Sequence, residues 1–323
     1  MRALPFPQSA FTHGKPFHHL TSLSLVLPPG CDVVWPLSIF TDAPRLQVLD
    51  ICAEETPMSS LISIMPWSQL THIKLELPMD FAHACDILSQ CKSVVQCHLG
   101  ELIKDDENFV PPQHMCQLDH LVEFTLAALI VSGAFFDGFT FPGLLHLTVH
   151  SHGPILNTLL NLHHRSQFSL THLTLIYVPF AGEELINFLC HLPTLQVLEL
   201  QSCRVDAVLL AAFTYSSEAG APPLFLPLLR SLELVTQFQS DGLLLAAMVE
   251  SMSRYCGGQN LAFPALVEVN LYLHLAQFDD EVEDRLAAAC ASGMVVNHMQ
   301  HKHVTMHTGT ESLLDDRFMD WVI

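Results

Sequence analysis

The sequence predicts an α/β solenoid: a curved stack of about ten units, with parallel strands on the concave face and helices on the convex face. Three observations predict it. A short pattern, L-x-x-L-x-L, recurs ten times along the 323 residues. Successive copies are separated by 26, 24, 24, 27, 23, 26, 25, 34 and 37 residues. The chain is 50% hydrophobic and only 14% charged, against roughly 25% charged residues in an ordinary globular protein. A single copy of the pattern arises easily by chance. Ten copies at near-regular steps do not.

In chain order the copies are LTSLSL at Leu20, LQVLDI at Leu46, LTHIKL at Leu70, VVQCHL at Val94 and LVEFTL at Leu121. They continue as LLHLTV at Leu144, LTHLTL at Leu170, LQVLEL at Leu195, LRSLEL at Leu229 and LVEVNL at Leu266. Each reads as a short strand whose alternate apolar residues point into the core while the residues between point out. The first seven steps fit the roughly 20–29-residue period of leucine-rich repeats, so that repeat type is predicted. The two longer steps predict insertions. Parallel strands need long crossovers, and right-handed ones are the rule.

The crossovers read as helices where the apolar period lengthens. Phe81–Cys91 carries Phe81, Ala84, Cys85 and Leu88 at helical spacing, and Gly182–His191 carries Leu185, Ile186 and Leu189. Further helices are predicted at Asp206–Tyr215, at Asp241–Tyr255 with Asp241 as N-cap, and at Asp279–Ser292 closed by Gly293. Loops are predicted at KDDENFVPPQ (104–113), YSSEAGAPPLFLP (215–227) and CGGQNLAFP (256–264), all rich in turn residues. GMVVNHM predicts a final strand at Met294–His298. The organisation is then a lead-in at 1–18, one solenoid at 19–298 without a linker, and a weakly ordered His-rich and acidic tail at 299–323.

Charge excludes whole classes of function. There are 13 Lys and Arg against 33 Asp and Glu, a net charge of −20. Nucleic-acid binding needs basic stripes, and anionic membrane surfaces repel such a chain. Mean hydropathy is high at +0.35. The longest apolar run free of charge, Phe124–Phe136, has 13 residues, short of the roughly 20 that span a bilayer. The first 20 residues lack the apolar run of a signal peptide. The ten cysteines, Cys31, Cys52, Cys85, Cys91, Cys97, Cys116, Cys190, Cys203, Cys256 and Cys290, form no CxxC pair, and the chain holds no Asn-x-Ser/Thr sequon. Both facts predict a reducing compartment, cytoplasm or nucleus, with the cysteines acting as small buried apolar residues.

Four segments carry a family resemblance: WSQLTHIKLELP at Trp67–Pro78, ILSQCKSVVQCHLGEL at Ile87–Leu102, LPTLQVLELQSC at Leu192–Cys203, and DRLAAACASGMVV at Asp284–Val296. Through them the chain resembles the leucine-rich-repeat region of F-box proteins from mushroom-forming fungi, over Phe17 to His298. In that family an F-box precedes the repeats and docks on the adaptor of a cullin–RING ubiquitin ligase. The residues ahead of Leu20 leave no room for an F-box. The resemblance therefore implies the substrate-binding arm, with the ligase adaptor a partner only if an F-box lies upstream of Met1.

Motifs of known chemistry are missing. Neither GxxxxGK nor GxGxxG occurs, and neither does HExxH or GxSxG. No catalytic, cofactor-binding or metal-binding residue is predicted. Among 20 histidines, the best metal candidates are His298, His301, His303 and His307, which read as a solvated tail lacking the rigid frame of a zinc site. The pairs His18–His19 and His163–His164 are placed at loop or strand edges. Cys85, Cys91 and Cys97 read as core. DDEVED at 279–284 reads as a solvated helix start, favoured by the helix dipole, and lacks the glycine and spacing of a calcium loop.

Function is therefore expected on the concave face. The outward residues form two columns. One is Ser22, Val48, His72, Gln96, Glu123, His146, His172, Val197, Ser231 and Glu268. The next is Ser24, Asp50, Lys74, His98, Thr125, Thr148, Thr174, Glu199, Glu233 and Asn270. An isolated polar strand residue is ordinarily only solvated. A whole column is a plausible protein-binding wall, since solenoids bind across this face. The binding face is assigned to His72, Lys74, Gln96, His98, Glu123, Thr125, His146, Thr148, His172, Thr174, Glu199, Glu233, Glu268 and Asn270. Glu199 and Glu233 select a basic or neutral partner, and the histidines predict pH-sensitive binding. The function read from the sequence is protein recognition without catalysis. A stand-alone or degenerate repeat scaffold with no ligase role is the alternative, and a His-dependent metalloprotein is the remote one.

Overall fold

A computed structural model describes residues 17–27, 43–53, 65–103, 114–131, 133–214, 226–237, 242–256, 268–274, 280–291 and 295–300. Each of the ten pattern copies forms one strand, and each strand starts at the third residue of its copy. These are β1 Ser22–Leu27, β2 Val48–Ala53, β3 His72–Met79, β4 Gln96–Leu102, β6 Glu123–Ala128, β8 His146–Ser151, β9 His172–Ile176, β10 Val197–Gln201, β11 Ser231–Gln237 and β12 Glu268–His274. An eleventh, β13 at Val295–Gln300, is the expected final strand, running two residues past the expected end at His298. All eleven form one sheet in the order β1-β2-β3-β4-β6-β8-β9-β10-β11-β12-β13. Every neighbouring pair is parallel. The class is α/β. The sheet adds one strand per unit and does not close into a barrel, as a solenoid would have it.

The alternation inside each strand explains the sheet. Leu49 and Ile51, Ile73 and Leu75, Phe124 and Leu126, Leu173 and Leu175, and Leu232 and Leu234 are all buried, while the residues between them are not. The first residue of the pattern is buried for a different reason. It closes a tight turn entering the strand: the amides of Leu46, Leu70, Leu121, Leu144, Leu195 and Leu229 donate to the carbonyls of Ala43, Trp67, Leu118, Phe141, Leu192 and Leu226 at 3.1–3.3 Å. Each of those partners is itself buried. The repeat is thus one apolar residue longer, on its N-terminal side, than L-x-x-L-x-L.

Among the described residues seven helices cross between strands: α1 Phe81–Gln90, α2 Gly133–Asp137, α3 Leu156–Ser166, α4 Gly182–Leu189, α5 Ala207–Phe213, α6 Gly242–Cys256 and α7 Asp280–Ala291. Their apolar faces join the same core as the inward strand residues. Asp80 caps α1 by accepting from the His83 amide at 2.7 Å. Gln167, in the left-handed region at φ 54°, ends α3. The run Phe124–Phe136 divides between β6, a bend at Leu129–Ile130 and α2. No helix among the described residues is long and apolar enough to cross a membrane. A second, two-stranded parallel sheet joins β5 Cys116–Gln117 to β7 Phe139–Thr140. Between it and β6 lies a cluster of fully buried rings: Phe81, Phe124, Phe135, Phe136, Phe139 and Phe141.

One placement is corrected. His163 and His164 lie in the last turn of α3, not at a loop or strand edge. Leu156, Leu159 and Leu162 already carry the helical period there, and all three are buried. Asp241, Gly293, the 104–113 loop, most of the two Gly- and Pro-rich insertions, and the tail with His301, His303 and His307 lie outside the described residues. His298 sits in β13, in register with buried Leu271.

Candidate functional site

The two outward columns hold in register across the whole sheet. The first runs Ser22, Val48, His72, Gln96, Glu123, His146, His172, Val197, Ser231, Glu268, each residue paired with the next across adjacent strands. The second runs Ser24, Asp50, Lys74, His98, Thr125, Thr148, Thr174, Glu199, Glu233, Asn270 by the same pairings. Of the fourteen assigned residues, Gln96 is exposed, twelve are half-buried, and Glu268 holds its place in β12. Their neighbours along each strand are buried. This side of the sheet is therefore open to solvent, and the opposite side carries the helices.

The face divides into three zones. In the first, around β2 to β4, Lys74 Nζ lies 3.0 Å from Glu76 Oε1, and His98 Nε2 lies 3.7 Å from the same oxygen. Burial pushes the His98 imidazole below its ordinary pKa despite Glu76 beside it. In the second zone, Glu123, His146 and His172 stand side by side on β6, β8 and β9. The His146 and His172 rings are 4.1 Å apart. Thr171 Oγ1 lies 2.9 Å from His172 Nδ1, which fixes the ring. Thr71 holds His72 in the same way at 2.9 Å. Partial burial lowers the His172 pKa, and the neighbouring His146 lowers it further, while Glu123 works in the opposite sense. The two rings are tilted, with an interplanar angle of 54°.

The third zone is acidic. Glu199 and Glu233 face each other across β10 and β11. Thr174 Oγ1 donates to Glu199 Oε2 at 3.0 Å, and the Gln201 side-chain amide bridges Glu199 and Glu233 at 3.4 Å each. The stretch from Thr125 to Thr174 supplies hydroxyls between the histidine and acidic zones.

A third column escaped the sequence reading. Its members include Cys52, Glu76, Ala127, His150, Ile176, Gln201 and Val235, each two residues beyond the second column. The alternation simply continues past the end of L-x-x-L-x-L, which was the available signal. This column is more apolar. It leads into Tyr177, whose ring is 5.0 Å from His152 and 5.1 Å from His150.

The buried Cys97 and Cys203 thiols are pushed up to about 12 by desolvation, and Cys91 is raised further, so none supplies a thiolate near neutral pH. Cys52, on the open face, is also raised, by burial and by Glu76. Among the described residues no three His, Cys, Asp or Glu side chains are grouped to hold a metal ion. On the helical side the rings of His163, His164 and His191 lie 5.3–6.3 Å from one another. Burial, followed by the two neighbouring imidazoles, lowers the His163 pKa. Compared with known families and curated proteins, the chain matches no family model and no curated protein.

Proposed function

We propose that this chain is a protein-recognition scaffold of the leucine-rich-repeat type, and that the open face of its sheet is where a partner protein docks. The observation that carries this reading is the register: two columns of mostly polar side chains, interrupted at Val48 and Val197, run across ten parallel strands on a face that no helix among the described residues covers. Such a surface is broad and rigid, which suits an extended contact with another protein. The resemblance to the repeat region of mushroom-type F-box proteins supports a narrower role, the substrate-binding arm of a ubiquitin-ligase receptor. A scaffold without a ligase connection is the second reading.

Site-specific photo-crosslinking tests the first statement. A crosslinking residue at Thr148, in the middle of the sheet face, should capture a partner in native extract. The same residue at Asn161, exposed on α3, should not. Capture from Asn161 alone overturns the assignment of the face. The ligase role is tested by purifying the longest product of the transcript. Stoichiometric recovery of a cullin–RING adaptor supports it, and recovery of none removes it.

A further inference from the structure

The open face has an apolar border that its polar columns do not explain. It lies where β6, β8 and β9 end. Leu129 is 65% exposed and Ile130 is 44% exposed. The next turn is tied to this one: the His152 amide donates to the Leu129 carbonyl at 2.9 Å, and Ile130 lies against Gly153. The ring of His152 then stacks on Tyr177, with an interplanar angle of 17° and centroids 5.0 Å apart. Large apolar side chains left in solvent, side by side and linked through one another, mark a surface meant to be covered.

Tyr177 is held there at a cost. Its φ is 56°, in the left-handed region, and Ser202 occupies the same place one unit later at φ 53°. The turn therefore needs a left-handed residue in successive units, and the small Ser202 satisfies it. A bulky aromatic residue is disfavoured in that conformation. Tyr177 adopts it all the same, and the residue is 37% exposed. Strain of this kind collects where a side chain is aimed at a ligand.

The ledge adjoins the acidic zone. The Tyr177 amide donates to the Gln201 carbonyl at 2.9 Å, and the Gln201 side chain touches both Glu199 and Glu233. Glu199 lies two residues before Gln201 on the same strand, about 7 Å away. An apolar, aromatic shelf thus sits one strand over from a pair of carboxylates, on a chain of net charge −20.

Resting on the recognition role proposed above, we infer that Leu129, Ile130, His152 and Tyr177 form an anchor shelf that works with Glu199 and Glu233, and that it accepts a partner segment bearing an aromatic or large aliphatic side chain close to an Arg or Lys. The shelf buries the apolar side chain, and the carboxylates pair with the cation. Aromatic and arginine side chains together are the usual centre of binding energy at protein interfaces. Charge complementarity excludes an acidic segment from the same place.

A random twelve-residue peptide library displayed on phage tests this with the whole chain immobilised. The expected winners carry an aromatic or aliphatic residue within three positions of Arg or Lys. Synthetic copies should lose at least tenfold in affinity with the Tyr177→Ser and His152→Ser pair, and again with the Glu199→Gln and Glu233→Gln pair. Circular dichroism and urea midpoints of these surface variants report that the fold survives. Winners insensitive to both pairs but weakened by His72→Ala and Lys74→Ala overturn the shelf while leaving the open face as the docking surface. Winners weakened only by substitutions on the helical side overturn both. Enrichment of acidic peptides, or of none, overturns the shelf.

Discussion

Asp206 caps two helices of successive units at once, and Gly182 makes this possible. One carboxylate oxygen of Asp206 accepts from the Leu209 amide at 2.9 Å, opening its own helix α5. The other accepts from the Gly182 amide at 2.9 Å, opening α4 in the unit before. A Cβ on Gly182 would collide with that carboxylate. A single side chain thus takes one orphan amide at each of two helix N-termini, where the dipole ends are positive, while Glu184 accepts from the Ala181 amide at the start of α4.

Asp206→Ala should therefore lose more than an ordinary cap. One cap is worth about 1 kcal/mol, so a loss of roughly 2 kcal/mol is expected in urea unfolding. Asp206→Asn, with one acceptor oxygen, should fall between. Gly182→Ala separates two effects. Helix propensity alone favours alanine by up to ~1 kcal/mol, whereas the collision disfavours it. Destabilisation by Gly182→Ala, largely relieved in the Asp206→Ala background, is the expected result. A stabilised Gly182→Ala would show that the carboxylate moves freely and that the shared cap counts for little.

The ring cluster makes a sharper prediction. Phe135 is fully buried and meets Phe81 at 5.5 Å, Phe136 at 5.1 Å and Phe139 at 5.8 Å. It lies on α2, a helix of only five residues, far too short to hold itself. Its packing holds the helix, not the reverse. Phe135→Ala should cost about 3–5 kcal/mol, while the more conservative Phe135→Leu costs less. Thermal melting with near-ultraviolet circular dichroism reads the loss. A shift equal to that of Phe17→Ala, at a half-buried phenylalanine ahead of β1, would mean the cluster is loosely packed.

The contrast between these sites shows what the sequence made legible. The strands were readable because their period is two and their leucines repeat, so each of the ten copies landed on a strand in the expected phase. The columns followed, since register across a parallel sheet is set by the same alternation. The turn residues Trp67, Phe141 and Leu226 were harder to see, because they differ in size and share only burial. Helix α2 carries too few residues to show any period. The anchor shelf could not be read at all. Leu129 and Ile130 look like core in a one-dimensional pattern, and only the turn after β6 turns them outward. The stacking of His152 on Tyr177 joins residues from two units. The shared cap of Asp206 joins residues 24 positions apart, which no local motif announces.

Acid should weaken the fold before the carboxylates titrate. His98, His150, His163 and His172 all have imidazoles below their ordinary pKa, in each case chiefly through desolvation. Unfolding releases them to about 6.5, so just below that pH the unfolded chain binds more protons than the native one. Stability then rises with pH through this window and levels off above it. Urea midpoints should be flat from pH 7 to 8 and fall between roughly pH 6.5 and 5. Replacing His98 and His172 by glutamine should flatten the fall. A midpoint that rises on acidification would mean these rings gain rather than lose protons on folding.

Ser151 ties the last prediction to function. It is fully buried at the end of β8. Its Oγ accepts from the Gly153 amide at 3.1 Å and lies 3.4 Å from the Val131 amide, and its hydroxyl donates to the Gly153 carbonyl at 3.3 Å. One hydroxyl thus fastens the turn after β8 to the turn after β6, the two turns that carry His152 and Leu129–Ile130. Ser166 is a matched control: it is buried too, and its Oγ accepts from the Phe141 amide at 3.0 Å, but on the helical side. Each Ser→Ala change strands buried amides and should cost roughly 1–3 kcal/mol. Only Ser151→Ala should also speed hydrogen exchange at Val131 and Gly153 and weaken the peptides selected on the anchor shelf. Equal weakening by Ser166→Ala would trace the effect to global stability and separate the shelf from the serine beneath it.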